Sequence, residues 1–342
     1  MRRLALRALH LMQRILRGIK LYKNKKPQFG KKVAREIFID ELKPHNKTER
    51  YIKTIEEYVD DYIRPLAMEY AKLEYKRPQK LQYNIDPQSG RVPIWCCWWQ
   101  GEDSMTQVSE ICYKRLKEVI DYDKARLILI TLDNYLDYVT FPNHIQSKFK
   151  QGKITYTEMS DILRMALLSK YGGFWIDATV YISADTISDD FLNHDMYCQK
   201  MYDPIKWQRE ACKGRWCGFM LSGSNQFPLF KFVLEAFYKW WSDYESVIDY
   251  VLIDYFILSA YKMIPYVREV IDSIQDNNTD VFEMYTHFNE PYSDELYKKL
   301  TKTTKMHKLT NKDDFIEYTA DGKLTLYGFI KNKELNDEQR KG

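Results

Sequence analysis

Thr155-Tyr156-Thr157-Glu158-Met159-Ser160-Asp161-Ile162-Leu163-Arg164, continuing to Tyr171-Gly172-Gly173-Phe174-Trp175-Ile176-Asp177-Ala178-Thr179, is the stretch that decides the fold. Thr155 and Glu158 have capping-box spacing, so a helix starts there. Met159, Ile162, Leu163 and Ala166 give that helix an apolar face. The paired glycines end it and permit a tight reversal into a strand. Phe174 to Ile176 is then a short buried strand that presents Asp177 at its carboxyl end.

The same texture extends upstream. Val92 to Trp99 is a near-continuous apolar run, as expected for a buried parallel strand. Ser104 and Gln107 have capping spacing ahead of a helical stripe of Val108, Ile111, Cys112, Leu116 and Val119. Leu127 to Ile130 is a second buried strand. Strand, helix, strand, helix, strand is an α/β order, which predicts a mainly parallel central sheet flanked by helices. Before it, Thr48 to Lys76 reads as helix broken near Pro65, and Asp86-Pro87-Gln88-Ser89-Gly90 reads as a turn. After it, Phe227 to about Ile264 is helical and rich in aromatics, suited to pack on the sheet or cap its open side. These shifts predict a basic arm over residues 1–32, a helical region over 33–90, an α/β domain over 91–330 and a polar tail over 331–342.

Composition excludes other classes. The 342 residues include 27 Tyr, 16 Phe and 8 Trp, too much core material for a disordered chain. No apolar run reaches the roughly 20 residues a spanning helix needs. The 6 Cys are sparse, and Cys212 and Cys217 are spaced wrongly for a zinc knuckle, so all six read as reduced thiols of a cytoplasmic protein.

The net charge of +4 hides an asymmetry. No acidic residue precedes Glu36, while 12 Lys and Arg lie at or before Arg35, so the rest carries 40 basic against 48 acidic residues, a balance of -8. Within the arm Leu4, Ala8, Leu11, Ile15 and Ile19 recur at helical spacing, widened by Met12 and Leu16. Arg3, Arg7, His10, Arg14 and Arg17 run beside them, and Lys23, Lys25, Lys26, Lys31 and Lys32 follow. Arg7, Arg14 and Arg17 would interrupt any secretory apolar core. The arm reads as a basic amphipathic helix, either lying on an anionic membrane surface or capping the acidic body. An acidic body makes nucleic acid an unsuitable partner.

Three constellations could carry chemistry. Trp98-Trp99-Gln100-Gly101 leaves the first strand at its carboxyl end, where open α/β sheets bind ligands; both Trp residues are alternatively core. Asp161 and Arg164, three apart, share a helical side away from Met159, Ile162 and Ala166. They form an internal ion pair or face a polar cavity, because unpaired buried charge is costly. Asp177 is a hard oxygen ligand at a strand end, suited to Mg²⁺ or Mn²⁺.

Ser160-Asp161, Arg164, Tyr171-Gly172-Gly173 and Asp177 together resemble the core motif of a glycosyltransferase superfamily with the GT-A fold. That superfamily includes yeast-type initiating mannosyltransferases and the clostridial glucosylating toxins. The likeness is closest to bacterial capsular polysaccharide synthesis proteins, through Trp98 to Gly101, Asn134-Tyr135, Pro142, Ile145, Trp175 to Thr179, Asp249-Tyr250, Asp254-Tyr255 and His307-Lys308-Leu309-Thr310.

The resemblance implies a GT-A-type, Rossmann-like sheet and a retaining transfer of a hexose from a nucleotide sugar, a UDP-sugar foremost. The acceptor would be a hydroxyl of a growing or lipid-linked cell-surface glycan. It assigns catalysis to Asp161, Arg164 and Asp177. Trp99 would stack on the base, with Gln100 and Gly173 beside the donor. Asp161 and Arg164 would bind the sugar, and Asp177 would hold Mn²⁺ or Mg²⁺. Thr179 stands where the wider superfamily has a second Asp, which weakens two-residue coordination. His307 and Lys308 would complete the phosphate site or form part of a solvated basic stretch. Asp249 and Asp254 would line an acceptor groove or lie on a helix surface. The enzyme would sit in the cytoplasm, peripheral on the inner face of the plasma membrane. A catalytically silent binding subunit of a polysaccharide assembly complex is the competing expectation. A phosphotransferase is disfavoured, since no Gly-rich phosphate loop occurs.

Overall fold

A computed structural model describes residues 2–42, 47–78, 91–185, 187 and 194–336. In chain order the elements are α1 (Arg2–Leu42), α2 (Glu49–Ala71), β1 (Val92–Cys97), α3 (Gln107–Val119), β2 (Ala125–Ile130), α4 (Tyr135–Tyr138), α5 (Asn143–Lys150), α6 (Tyr156–Tyr171), β3 (Gly173–Ile176), β4 (Val180–Ile182), β5 (Met196–Cys198), β6 (Met220–Gly223), α7 (Pro228–Asp243), α8 (Leu252–Met263), α9 (Pro265–Ser273), α10 (Glu283–Thr286), α11 (Asp294–Thr301), β7 (Met306–Lys308) and α12 (Leu326–Asn336).

The central sheet has the order β2-β1-β3-β6-β5. β1 pairs parallel with both β2 and β3, and β6 is antiparallel to β3 and to β5. Four of the five strands therefore point one way and β6 alone is reversed. The chain leaves β1 for β2 on one side and returns to β3 on the other. The carboxyl ends of β1 and β3 thus flank a topological switch point, where α/β sheets open a crevice. Gly173 makes the β1–β3 approach possible: its φ is +95°, and a Cβ there would lie 2.2 Å from the Pro93 carbonyl oxygen. A second, two-stranded sheet pairs β4 with β7 antiparallel, with Val180 opposite Lys308. That pairing brings a residue from late in the chain to the end of β3.

α6 forms as its sequence dictates. Thr155 Oγ1 accepts from the Glu158 amide at 3.3 Å, and Glu158 Oε2 accepts from the Thr155 amide at 2.7 Å. Its Met159, Ile162, Leu163, Met165, Leu167 and Leu168 are fully buried. One apolar cluster joins α6, Trp95, Trp99, α7 and α8 to α2 and to Phe29, Val33 and Ile37 of α1. The helical region before the sheet therefore shares its core.

Several expectations need correction. Ser104 lies in a 3₁₀ turn and accepts from Trp98 Nε1 at 3.0 Å, while Thr106 caps α3. α2 runs unbroken through Pro65. Pro65 is exposed, so the carbonyl that loses its partner faces water, and the buried Ile52, Ile55, Val59, Ile63 and Ala67 hold the helix together. The aromatic helices α7 and α8 pack on α6 and α2. The polar tail begins later than expected, because Lys331 to Asn336 complete α12 with Glu334 buried. The expected turn at 86–90 and residues 337–342 lie outside the described residues. All six cysteines are free thiols. No helix among the described residues is long and apolar enough to cross a membrane.

Candidate functional site

Beyond the ends of β1 and β3 lies a cleft of about 380 Å³ lined by Trp98, Gln100, Tyr156, Ser160, Asp161, Arg164, Asp177, Thr179, Tyr250 and Asn311, among others. The helix and the strand on either side of the glycine pair thus present their polar groups to one space. Arg164 is the hinge of the arrangement. Its Nη1 donates to Asp161 Oδ1 at 2.7 Å and its Nη2 to Asp177 Oδ1 at 3.2 Å. The guanidinium stacks 4.9 Å from the Trp175 ring centroid, and Trp175 Nε1 donates to Asp177 Oδ1 at 2.8 Å. Gly218 leaves the room required, since a Cβ there would meet Arg164 Nη1 at 3.1 Å. Arg164 Nε is buried with no protein partner.

Asp177 sits at the first position of a turn closed by the Val180 amide donating to its carbonyl at 3.0 Å. From β7, Lys308 Nζ donates to Asp177 Oδ2 at 2.8 Å and to Thr179 Oγ1 at 2.7 Å. Burial would push the Asp177 carboxyl up, but the Lys308 and Arg164 cations outweigh it and hold the group below its ordinary value. Asp161 behaves oppositely: burial pushes it up to about 6, with Arg164 opposing. Two carboxylates in one cleft are thereby set apart, one firmly ionised and one poised near neutrality.

The donor set does not fit a divalent cation. Both Asp177 oxygens already accept from cationic or N–H donors, and the Thr179 hydroxyl is bonded to an ammonium. No group of three or more His, Cys, Asp or Glu suited to a metal ion occurs among the described residues. Lys308 Nζ takes up the Asp177 and Thr179 oxygens that a cation held between them would need.

Other expected site residues are placed differently. Trp99 is only 5% exposed, with its ring among Tyr135, Phe149 and Tyr156 and its Nε1 donating to Ser160 Oγ at 2.8 Å. It builds the wall and is not free to take a base; half-buried Trp98 is the indole open to the cleft. Gly173 serves strand packing and does not line the cleft. His307, next to Lys308, points the other way: it is buried, its Nε2 lies 3.1 Å from Ser183 Oγ, and burial drives its pKa down to about 3. A neutral imidazole cannot offset phosphate charge. Asp249 pairs with Lys47 at 2.9 Å and accepts from the Val251 amide at 3.1 Å, with 2% of its side chain exposed. It is a structural anchor and not part of an acceptor groove. Asp254 accepts from Trp216 Nε1 at 2.9 Å; burial pushes it up to about 7, with Asp161 and Glu210 adding to the shift. Sequence reasoning missed Tyr156, Tyr250 and Asn311 as cleft residues. Of the Asp249-Tyr250 pair, it is Tyr250, 63% exposed, that lines the cleft, while Asp249 is buried.

An α/β sheet whose switch-point crevice is lined by a guanidinium and two carboxylates, with an ammonium bonded to one of them, can take a ligand that is both anionic and rich in hydroxyls. The chain belongs to the capsular polysaccharide synthesis protein family, whose sequence model matches residues 35–329. No curated protein and no solved structure matches it.

Proposed function

We propose that the cleft transfers a hexose from a nucleotide sugar to a hydroxyl of a capsular polysaccharide precursor. One observation carries this reading: Asp161, Arg164, Asp177 and Lys308 form a continuous charged chain, and its first three members line the crevice at the switch point. A diphosphate leaving group develops negative charge as it departs, and preorganised cations at that point are the dominant catalytic term. Lys308 and Arg164 supply them. The ammonium has three donors, of which Asp177 and Thr179 take two, leaving one for a phosphate oxygen. Asp161 accepts from sugar hydroxyls, and Trp98, which lines the cleft, covers the base. The two carboxylates that line the cleft are engaged by Arg164 or Lys308, so neither is a free nucleophile. Retention then proceeds on one face. The bond from the anomeric carbon to the diphosphate oxygen breaks, the acceptor oxygen bonds to that carbon, and the acceptor proton passes to the departing phosphate.

The enzyme would work in the cytoplasm, where nucleotide sugars are made, with a UDP-sugar the leading donor and a lipid-linked or growing glycan the acceptor. The test is nucleotide release, to acceptor or to water, by wild type and Asp177→Ala. The expected result is loss of release with an unchanged fold by circular dichroism; near-normal release by the variant overturns the assignment. Thr179 favours one other reading, a catalytically silent binding subunit of a polysaccharide assembly complex, for which wild type would bind no nucleotide sugar in calorimetry and release no nucleotide.

A further inference from the structure

The first helix breaks at Gly30, where φ is 80° and ψ is 170°. The chain folds back there: Arg17 pairs with Glu41 at 2.8 Å, and a Cβ on Gly18 would stand 2.9 Å from Phe38 Cδ2. The two halves form a helical hairpin. Its base docks on the body through Lys25, which donates to Ser246 Oγ at 2.9 Å, through buried Phe29, and through Lys32 paired with Glu57 at 2.9 Å. The later part of the basic tract is therefore committed to the body. The apolar side chains from Leu9 to Ile19 belong to none of the core clusters of the described residues.

The hairpin contact falls on one particular side of the projecting helix. At about 100° per residue, Leu9, Leu11, Met12, Ile15, Leu16 and Ile19 occupy an arc of roughly 160°, and His10, Arg14, Arg17 and Lys20 occupy the remainder. Gly18 and Arg17, which face the returning half, lie in that remainder. The apolar arc is left uncovered: Leu9 is 44% exposed, Leu11 51%, Met12 52%, Ile15 38%, Leu16 60% and Ile19 40%. The helix thus does not cap the body with its apolar face. An apolar arc this contiguous marks an interaction surface.

We infer that this face, centred on Leu11, Ile15 and Ile19, inserts in the plane of an anionic lipid leaflet. Charge complementarity selects that occupant. The first 35 residues contain no carboxylate, so a second arm would set cation against cation, whereas acidic headgroups flank an apolar layer and satisfy both sides of the helix at once. The surface lies outside the cleft, and attachment does not depend on what the cleft catalyses.

The experiment is co-sedimentation of the full chain with vesicles of phosphatidylcholine alone and of phosphatidylcholine mixed with phosphatidylglycerol. It compares wild type, Leu11→Glu/Ile15→Glu and Arg14→Gln/Lys20→Gln, and reads partition independently of turnover. Because the substituted side chains do not build the core, circular dichroism should match wild type in both variants. Wild type is expected to bind the anionic vesicles, more weakly as salt rises. The apolar-face variant should bind roughly thirtyfold or more weakly, since two inserted side chains are replaced by charges. The cation variant should lose roughly tenfold and its salt dependence should flatten. Absence of binding, or equal binding by wild type and Leu11→Glu/Ile15→Glu, overturns the inference. So does a lipid-free dimer that the apolar-face variant abolishes, which would make a second copy the occupant.

Discussion

Two of the molecule's carboxylate–lysine pairs are of similar length but stand in opposite surroundings. Lys308 and Asp177 lie 2.8 Å apart with 20% and 27% of their side chains exposed; Lys47 and Asp249 lie 2.9 Å apart with 25% and 2% exposed. Both bring together residues more than a hundred positions apart in the chain. The first opens onto a cleft at a sheet switch point and adjoins a guanidinium. The second is enclosed by the Val251 amide and the Tyr255 hydroxyl. Pairing a charge solves the same burial problem in both places. What distinguishes the pair proposed to act is the open space beside it and a donor left uncommitted.

Five outcomes sharpen or break that contrast. The largest is Asp177→Ala, expected to lower nucleotide release by roughly 10³-fold or more while thermal unfolding stays cooperative. Next is Lys308→Met, expected to cost about 10²-fold in turnover, the scale of removing one preorganised donor to a developing anion. Alongside it, turnover by wild type should persist in excess chelator, because Lys308 already engages Asp177 and Thr179; complete loss that Mn²⁺ restores would contradict the proposed metal-independent site. Asp249→Asn should leave turnover within about twofold and lower unfolding free energy by roughly 1–2 kcal/mol. That is less than a fully buried pair would lose, since Lys47 keeps part of its side chain in water.

The smallest effect is the pH response of Asp161. Its carboxyl is raised to about 6 from an ordinary value near ~4, chiefly by burial. Folding thus favours the protonated form, so stability should fall as pH rises between those values. Donor binding should run the other way and weaken as pH drops through about 6, because a protonated Asp161 accepts fewer sugar hydroxyls. Asp161→Asn should flatten both profiles, checked by urea unfolding and donor titration across that range.

The parts of the fold carried by local pattern were readable before any coordinates. β1, β2, β3 and α6 follow from apolar runs, a capping box and a glycine pair. The reversed strand β6, β5 beside it and the separate pair β4 and β7 were not, because each is three or four residues long and formed by pairing partners distant in sequence. The same limit governs the site. Strand parity sends Trp99 to the side of Trp95 and into the core, and sends His307 and Lys308 to opposite faces of β7. Sequence names such neighbours together, and only the register of the sheets separates them. Asp161, Arg164 and Asp177 were legible because one short helix-to-strand turn fixes their distance. Lys308 bridging Asp177 and Thr179 depends on the β4–β7 pairing, which no local signal announces.

Calorimetric titration of a panel of nucleotide sugars, in the presence of chelator, into wild type and Lys308→Met reads the central claim most directly. At least one nucleotide sugar should bind wild type without added metal and bind the variant markedly more weakly. Failure of every nucleotide sugar to bind wild type, with or without divalent cation, would contradict the account.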